Sequence, residues 1–335
     1  MEGDTIIEVK DLSVNFYTNL RCNKALRNVS FNLKKGRILG FVGESGCGKS
    51  VTANSIMRLL PELSRIENGS ITFNSDKGPI RIDKLPKNGS EIRKLRGSDI
   101  AMIFQDPMTA LNPVFTVGYQ LNEMLLTHTD MSKKEATKKS IELLADMGVP
   151  APEERFYEYP HEYSGGMRQR AMIAMAMACE PKVLLADEPT TALDVTIQAQ
   201  IFELMLKLRD EKQMAMMLIT HDMGVIAEMA DDVVVMYMGN VVESGDAVEV
   251  LTNPIHPYTK ALLDSIPVLG RGKNQKLEPI KGSTPDPFDR PKGCQFAPRC
   301  DYATQICLEE MPKEVLFNKD HKVCCFRCKE FNNGK

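Results

Sequence analysis

A glycine-rich segment between an apolar run and a helical pattern constrains the fold of this chain more than any other feature. Residues Ile38 to Val42 are all apolar or glycine, as in a buried strand, and a helical pattern begins near Lys49 and stops before Pro61. The segment between them fits the pattern G-x-x-x-x-G-K-[ST], with the residues Gly43, Glu44, Ser45, Gly46, Cys47, Gly48, Lys49 and Ser50. The sequence therefore predicts a strand, a phosphate-binding loop and a helix, in that order.

The residue types of this loop predict how it binds a nucleotide. Glycines let backbone N–H groups surround the phosphates, and the helix N-terminus adds a partial positive charge. Lys49 is expected to reach the β- and γ-phosphate oxygens, and Ser50 to bind Mg²⁺. Cys47 stands at a variable position of the pattern, and Val51 completes the predicted ATP-contact set. A chance glycine loop is the alternative, and the strand–loop–helix context argues against it.

Two adjacent carboxylates end another apolar strand. Leu184 to Ala186 are apolar and lead into Asp187 and Glu188, an arrangement typical of the Mg²⁺-binding element of nucleoside triphosphatases. Asp187 is predicted to reach the metal, and Glu188 to accept a proton from the water that attacks the γ-phosphate. The alternative is that the two carboxylates merely face solvent at a strand end. The presence of a phosphate loop in the same chain argues against this alternative.

The remaining patterns predict an α/β fold with a parallel-sheet core. Residues 6–42 are strand-like, and the turns Asn68-Gly69 and Asn88-Gly89 indicate a hairpin and surface turns within 62–99. Residues 112–178 have helical periodicity, so a helical insertion is expected. Further short apolar strands alternate with helical segments; they are Ile100 to Phe104, Val183 to Ala186, Met214 to Thr220 and Val233 to Met238. We predict a nucleotide-binding domain over 1–255 and a C-terminal extension over 256–335 that ends in a small Cys-rich module, with a linker at 270–292.

Composition and charge exclude several classes. Hydrophobic residues make up 43% of 335 residues and charged residues 26%, which is globular usage rather than fibrous or disordered. The net charge of −3 gives no bulk reason for binding nucleic acid. The apolar runs are shorter than the roughly 18 residues that cross a bilayer, and the acidic start does not have the pattern of a secretory signal. A cytosolic location is expected.

The order of the motifs resembles the nucleotide-binding domain of ATP-binding cassette (ABC) transporters, over about residues 6–250. This resemblance implies a phosphate-loop parallel-sheet core with an antiparallel β subdomain and a helical insertion. Ser164, Gly165 and Gly166 precede a helical run, which by itself would be an ordinary helix cap. The motifs that carry the resemblance are, in order, the phosphate loop, Phe104-Gln105-Asp106, Ser164-Gly165-Gly166, Asp187-Glu188, Ala192-Leu193-Asp194 and His221.

The resemblance implies roles for these residues. Phe16 would stack on adenine, with Tyr17 as the less favoured candidate and a strand core position as the alternative. Gln105 would sense Mg²⁺ and the attacking water and couple to membrane subunits, and His221 would contact the γ-phosphate. Ser164, Gly165 and Gly166 would bind ATP held by the opposite subunit, and Asp194 would cross that dimer interface.

Other segments resemble a particular subfamily, the D-type ATPases of dipeptide and oligopeptide importers. Residues 159–170 and 253–263 carry this resemblance, although Tyr163 and Met167 stand where the common signature has Leu and Gln. It implies an ATPase on the cytoplasmic face of the membrane. The implied partners are two permease subunits, an F-type ATPase and an extracytoplasmic peptide-binding protein, with no nucleic acid. The alternatives are a nickel or other metal importer and a soluble ABC protein that acts on nucleic acid or ribosomes.

Six of the nine cysteines are crowded between Cys294 and Cys328. Four thiolates can hold a [4Fe–4S] cluster or Zn²⁺, and the spacing C-x5-C-x6-C-x17-C does not choose between them. The tail resembles that of peptide and nickel importer ATPases. Alignment with that tail implies four ligands, which are Cys294, Cys300, Cys307 and Cys325. Cys324 and Cys328 are further candidates. The alternative is free reduced cysteines. A structural role is expected, because the tail lies far along the chain from the phosphate loop.

Overall fold

A computed structural model of the protein describes residues 4–18, 21–191, 193–266, 280–317 and 320–332. This part of the chain forms two compact units. The first unit contains residues 4–6, 33–37 and 84–219, and the second unit contains residues 7–32, 38–83 and those from 220 onward. The predicted linker at 270–292 lies partly outside the described residues, and the predicted boundary at 255 stays a prediction.

The described strands are β1 (Thr5–Tyr17), β2 (Cys22–Lys34), β3 (Ile38–Val42), β4 (Ser64–Ser75), β5 (Gly78–Arg81), β6 (Ile100–Ile103), β7 (Val183–Asp187), β8 (Ala215–Ile219), β9 (Asp232–Tyr237), β10 (Asn240–Asp246), β11 (Val315–Leu316) and β12 (Lys322–Val323). The described helices are α1 (Lys49–Ile56), α2 (Ser90–Ser98), α3 (Pro107–Ala110), α4 (Val117–His128), α5 (Lys133–Asp146), α6 (Pro152–Arg155), α7 (Gly165–Met177), α8 (Val195–Lys212), α9 (Met223–Met229), α10 (Ala247–Thr252), α11 (Pro257–Asp264), α12 (Gln305–Glu309) and α13 (Cys328–Asn332). None of the described helices is both long enough and apolar enough to cross a membrane.

The first unit contains three parallel strands in the order β8-β7-β6. Almost all of their residues are buried, because helices rather than solvent cover a parallel sheet. The predicted helical insertion is present as α3 to α7. The parallel sheet places the ends of β6 and β7 side by side, and Gln105 and Glu188 follow those ends.

The second unit contains two sheets. One has the order β2-β1-β4-β5, with β4 antiparallel to β1 and to β5. The other has the order β11-β12-β10-β9-β3, in which β3 and β9 are parallel and the other pairs are antiparallel. The sequence did not predict β10 to β12, since these strands are short or partly polar. The sheet β2-β1-β4-β5 provides the expected antiparallel pairs, whereas the antiparallel extension beyond β9 was not predicted.

The hairpin predicted within 62–99 is present as β4 and β5, but its turn does not lie at Asn68-Gly69. Gly69 lies inside β4, where the pairing with β1 shifts register, and has a φ of +93°. A Cβ atom there would stand 2.4 Å from the backbone oxygen of Lys10, so the glycine allows a close approach of two strands rather than a chain reversal. The reversal falls between Ser75 and Gly78 instead.

The C-terminal tail packs into the core of the second unit. The ring of Phe296 lies 5.3 Å from the rings of Tyr237 and Tyr258, and Cys294 and Cys300 pack against the same buried cluster. Strand β12 also extends the sheet beside β10. The separate small Cys-rich module predicted from the sequence is therefore not confirmed.

Candidate functional site

The phosphate loop lies between β3 and α1, as predicted, and its backbone requires glycine at two positions. Gly43 has a φ of +150°, and a Cβ atom there would stand 2.2 Å from the backbone oxygen of Met236. Gly48 has a φ of +108°, and its Cβ would stand 2.7 Å from a methyl carbon of Leu26. Side chains at either position would clash and strain the backbone. The glycines at these two positions thus meet both a backbone requirement and the close packing of distant segments within the second unit.

Lys49 is buried at the start of α1 and curls toward the loop. Its ammonium group donates hydrogen bonds to the backbone oxygens of Gly43, at 2.6 Å, and Glu44, at 3.2 Å. Ser50 is half-buried beside it. The thiol of Cys47 is buried 3.8 Å from the Lys49 nitrogen, and burial raises its pKa. The lysine charge and the helix N-terminus make this loop an anion site, whereas Cys47 fills space beneath it.

Glu44 binds residues that the sequence analysis did not assign to this site. Its backbone N–H donates to the hydroxyl of Tyr258, at 2.9 Å. Its carboxylate accepts two hydrogen bonds from Arg299, at 2.7 and 3.0 Å. The guanidinium also donates to the hydroxyl of Tyr237 and the backbone oxygen of Lys281. The partner carboxylate, first among several causes, raises the pKa of Arg299. Sequence patterns cannot reveal this pair, because its members are 255 positions apart.

His221 stands next to the strand that leads into the loop. The N–H of Thr220, the preceding residue, donates to the backbone oxygen of Phe41 in β3, at 3.1 Å. The hydroxyl of Thr220 accepts from the N–H of Asp222, at 3.0 Å. His221 itself is exposed. These contacts order the backbone around the predicted γ-phosphate contact.

The two candidate aromatic residues differ in their surroundings. The hydroxyl of Tyr17 donates to Glu67, at 2.6 Å, and the guanidinium carbon of Arg65 lies 5.7 Å from the centre of the Tyr17 ring. Phe16 is half-buried in β1, opposite Ser64 of β4. Tyr17 is thus engaged by its neighbours, and Phe16 stays the predicted residue for stacking on a base.

In the first unit, the predicted base and the predicted sensor contact each other. Nε2 of Gln105 donates to Oε2 of Glu188, at 2.8 Å. The same oxygen accepts from the hydroxyl of Thr191, at 3.0 Å, a contact that the sequence analysis missed. Glu188 has a φ of +47°, a conformation unfavourable for a side chain of this kind. Asp187, just before it, is buried at the end of β7.

The donor atoms of the predicted Mg²⁺ set suit that ion. Ser50 offers a hydroxyl, Asp187 a carboxylate and Gln105 an amide oxygen, and Mg²⁺ prefers oxygen ligands. The amide nitrogen of Gln105 is occupied by Glu188, so its oxygen is the atom suited to a cation. Ser50 belongs to the second unit, and the other two residues belong to the first.

The predicted signature residues lie at helix N-termini in the first unit. The hydroxyl of Ser164 caps α7 by accepting from the N–H of Met167, and the carboxylate of Asp194 caps α8 in the same way. A Cβ atom on Gly166 would stand 3.0 Å from Ile197 of α8, so the two helix starts are neighbours. Ser164, Gly165 and Asp194 are exposed there. Ala192 of the predicted motif lies outside the described residues.

Tyr163, which departs from the common signature, is a core residue. Its side chain is buried, and its hydroxyl donates to the backbone oxygen of Arg155, at 2.9 Å. Burial is the main cause that raises its pKa. The change from leucine therefore affects packing beneath the signature, while Ser164 and Gly165 remain exposed.

The four predicted cysteine ligands line one cavity in the second unit; they are Cys294, Cys300, Cys307 and Cys325. Cys324 and Cys328 are absent from the described lining, and Cys328 packs with Ile255 and Val323. Burial raises the pKa of the Cys294 and Cys300 thiols, and it raises the pKa of Cys325 to about 11. Within the described residues, no group of three or more His, Cys, Asp or Glu side chains is arranged to hold one metal ion.

Comparison with known proteins identifies the family. The ABC transporter family matches residues 26–191, and the family "Oligopeptide/dipeptide transporter, C-terminal region" matches residues 242–307. The dipeptide transport ATP-binding protein DppD of Bacillus subtilis is 48% identical over 324 residues, which cover 96% of this chain and 95% of the relative. This chain belongs to the ATP-binding subunits of peptide ABC transporters. A probable peptide ABC transporter ATP-binding protein of Sinorhizobium fredii is 47% identical, covering 99% and 98% of the two chains.

A solved structure supports the same fold. The dimeric post-hydrolysis state of the ATP-binding cassette MJ0796, bound to ADP and phosphate, covers 72% of this peptide transporter subunit and 98% of that chain. The TM-score is 0.63 at 28% identity. The predicted ABC-type fold is confirmed, and as a member of this family the chain is an ATPase. The nickel alternative is not favoured, because the relatives that match nearly the whole chain are named as peptide transporters.

Proposed function

We propose that this protein hydrolyses ATP to drive the import of dipeptides or oligopeptides. The observation that carries the catalytic part is the Glu188 carboxylate, which Gln105 and Thr191 hold at the end of β7. Glu188 accepts a proton from the attacking water, Gln105 positions that carboxylate, and Lys49 offsets charge on the phosphates. Bound Mg²⁺ supplies further charge neutralisation, with Ser50, Gln105 and Asp187 as its protein ligands. The C-terminal family match at 242–307 supports a peptide as the cargo.

We infer that turnover needs a second ATP-binding subunit. The exposed start of α7 presents Ser164 and Gly165 beside the exposed Asp194. A helix N-terminus carries partial positive charge and suits a phosphate. The ABC resemblance implies that the phosphates bound at this face belong to ATP held by the opposite subunit. The resemblance to D-type ATPases supports a non-identical F-type ATPase as that subunit.

An apolar surface beyond Gln105 supports a permease partner. Val114, Phe115 and Tyr119 are exposed, and the rings of Phe115 and Tyr119 stack at 4.6 Å. Exposed apolar groups of this kind suit a protein contact. We propose that two permease subunits bind this first unit, at the cytoplasmic face of the membrane. An extracytoplasmic peptide-binding protein delivers the cargo to those permeases.

Transport by the assembled complex tests this function. The complex is reconstituted in vesicles with ATP on the side of this subunit, and uptake of a labelled dipeptide, a labelled pentapeptide and Ni²⁺ is compared. We expect ATP-dependent uptake of peptide and its loss with Glu188→Gln. Uptake of Ni²⁺ but of neither peptide would overturn the proposed cargo.

We propose that the cysteine-lined cavity holds a [4Fe–4S] cluster, with Zn²⁺ as the alternative. In such a cluster each of the four thiolates binds a different iron, so the sulfur atoms surround a cavity. The four ligands of Zn²⁺ instead converge on one ion, at about 2.3 Å for sulfur. The shared lining by Cys294, Cys300, Cys307 and Cys325 supports the cluster and favours Cys325 over Cys324 as the fourth ligand.

A further inference from the structure

A buried ion pair connects the C-terminal tail to the phosphate loop. Arg299 lies in the tail with its side chain 4% exposed, and Glu44 is the second residue of the loop with its side chain 28% exposed. Two hydrogen bonds, at 2.7 and 3.0 Å, join the guanidinium to both carboxylate oxygens. Such a two-point contact defines the orientation of the carboxylate as well as its position.

Two more residues from the C-terminal part of the chain hold the same glutamate. The hydroxyl of Tyr258 accepts from the backbone N–H of Glu44, at 2.9 Å, and the hydroxyl of Thr284 donates to its Oε2, at 3.3 Å. Both residues come after the segment that matches the ABC transporter family, which ends at residue 191. The loop therefore depends on residues outside its own ATPase motifs for its backbone and side-chain positions.

The environment of Arg299 shows that the pair is well satisfied. Nε donates to the backbone oxygen of Lys281, at 2.8 Å, and Nη1 also donates to the hydroxyl of Tyr237, at 3.2 Å. Its side chain lies about 6 Å from the ring centres of Tyr237 and Phe296, at 5.8 and 5.9 Å. These contacts offset the cost of removing the guanidinium from water. The arginine is consequently held by several groups besides Glu44.

The charge of Glu44 explains why the loop needs this contact. A carboxylate in a loop that binds a triphosphate repels the ligand, and the repulsion is stronger where solvent is partly excluded. The Arg299 guanidinium neutralises that carboxylate and turns it toward the tail. Loss of the arginine would leave Glu44 uncompensated and able to rotate toward the phosphates.

We propose that Arg299 is a positioning residue for ATP binding, which acts by holding and neutralising Glu44, and that the C-terminal tail thereby sets the affinity of the phosphate loop for ATP. This inference rests on the proposed role of residues 43–50 in binding ATP. Arg299 directly precedes Cys300, which lines the cysteine cavity. A change in the conformation of the cavity would therefore reach the phosphate loop through adjacent backbone.

The test measures the dissociation constant of a fluorescent ATP analogue with the purified full chain. Arg299→Gln is expected to weaken binding about tenfold, since it leaves a partly buried charge unpaired. Arg299→Gln combined with Glu44→Gln is expected to recover affinity to within about threefold of the unmodified protein, because the repulsive charge is gone. Arg299→Lys keeps the charge but not the two-point contact and should give an intermediate value. Thermal unfolding of each variant confirms that it is folded.

A matched control comes from the same tail. Asp301 forms an ion pair with Lys281, and the two side chains are 60% and 72% exposed, respectively. Because an exposed pair contributes little, Asp301→Asn is expected to bind ATP like the unmodified protein. Unchanged affinity in Arg299→Gln overturns the proposal, as does a double variant that stays as weak as the single one. If Arg299→Gln does not fold, Arg299→Lys decides, and full affinity in that variant overturns the proposal. Normal ATP binding by Lys49→Ala would instead reject the phosphate-loop assignment.

Discussion

Nε2 of Gln105 donates a 2.8 Å hydrogen bond to Oε2 of Glu188, across 83 positions of sequence. Glu188 is held in three further ways: Thr191 donates to the same oxygen, the Glu188 N–H donates to Ile219 in β8, and the backbone adopts a positive φ. Strain of this kind persists only where the surroundings determine the geometry. The carboxylate of the proposed base is therefore oriented by contacts within the first unit.

Glu188→Gln is expected to bind ATP normally and to lose at least about a hundredfold in turnover, because it removes the proton acceptor while leaving Lys49 and Ser50 in place. Nucleotide affinity and steady-state hydrolysis in the assembled transporter are the measurements. Glu180→Gln is the matched control, since Glu180 forms an exposed pair with Lys212. Turnover close to normal in Glu188→Gln would show that another group accepts the proton.

Loss of the Gln105 side chain should impair turnover more than ATP binding. Gln105→Ala deletes one hydrogen bond to Glu188 and one proposed Mg²⁺ ligand, and we expect kcat to fall about tenfold, the equivalent of roughly 1.4 kcal/mol, with a smaller change in KM. Thr191→Val removes the other donor to the same oxygen and should act in the same direction. A change confined to KM in both variants would contradict a role in positioning the base.

A charge on the exposed signature face should block the dimer but not the isolated chain. A side chain at Gly165 has room, since its Cβ would stand 3.7 Å from the nearest atom, on Leu193. Gly165→Asp is therefore expected to fold and to bind ATP, yet to lose hydrolysis in the complex, because a carboxylate would face the phosphates of the opposite subunit. Isolated chain should hydrolyse ATP weakly in any case. Full activity of the Gly165→Asp complex would refute the composite site.

The proposed cluster in the cysteine-lined cavity leads us to expect a particular iron content. An anaerobic preparation should be brown, with about four irons per chain. Cys300→Ser and Cys325→Ser should lose iron and unfold the tail locally, since metal binding energy contributes to folding. Cys324→Ser, which changes a cysteine outside the described lining, should retain it. Zinc as the only metal would favour the zinc alternative, and no metal after careful reconstitution would leave reduced core cysteines.

Several elements could be predicted because their causes are local. The strand over Ile38–Val42 has exactly the predicted bounds, since five consecutive apolar or glycine residues suit a strand buried on both faces. Other elements could not, because their causes are distant. The helical pattern that stops before Pro61 runs past the end of the helix itself, which lies at Ile56, and Arg58 adopts a φ of +53° two residues later. Gly69 looked like a turn residue because the partner strand that approaches it is invisible in the local pattern.

The sequence by itself determined the chemistry of the phosphate loop and of the carboxylate pair. The positive φ of Gly43 and of Gly48 and the start of a helix at Lys49 are properties of adjacent residues, so a short motif is enough to specify them. Only the tertiary structure decided that Gln105 holds Glu188, that Arg299 holds Glu44, and that four separated cysteines line one cavity. Such contacts depend on how buried side chains pack when distant segments come together, and no local pattern of residues encodes that packing.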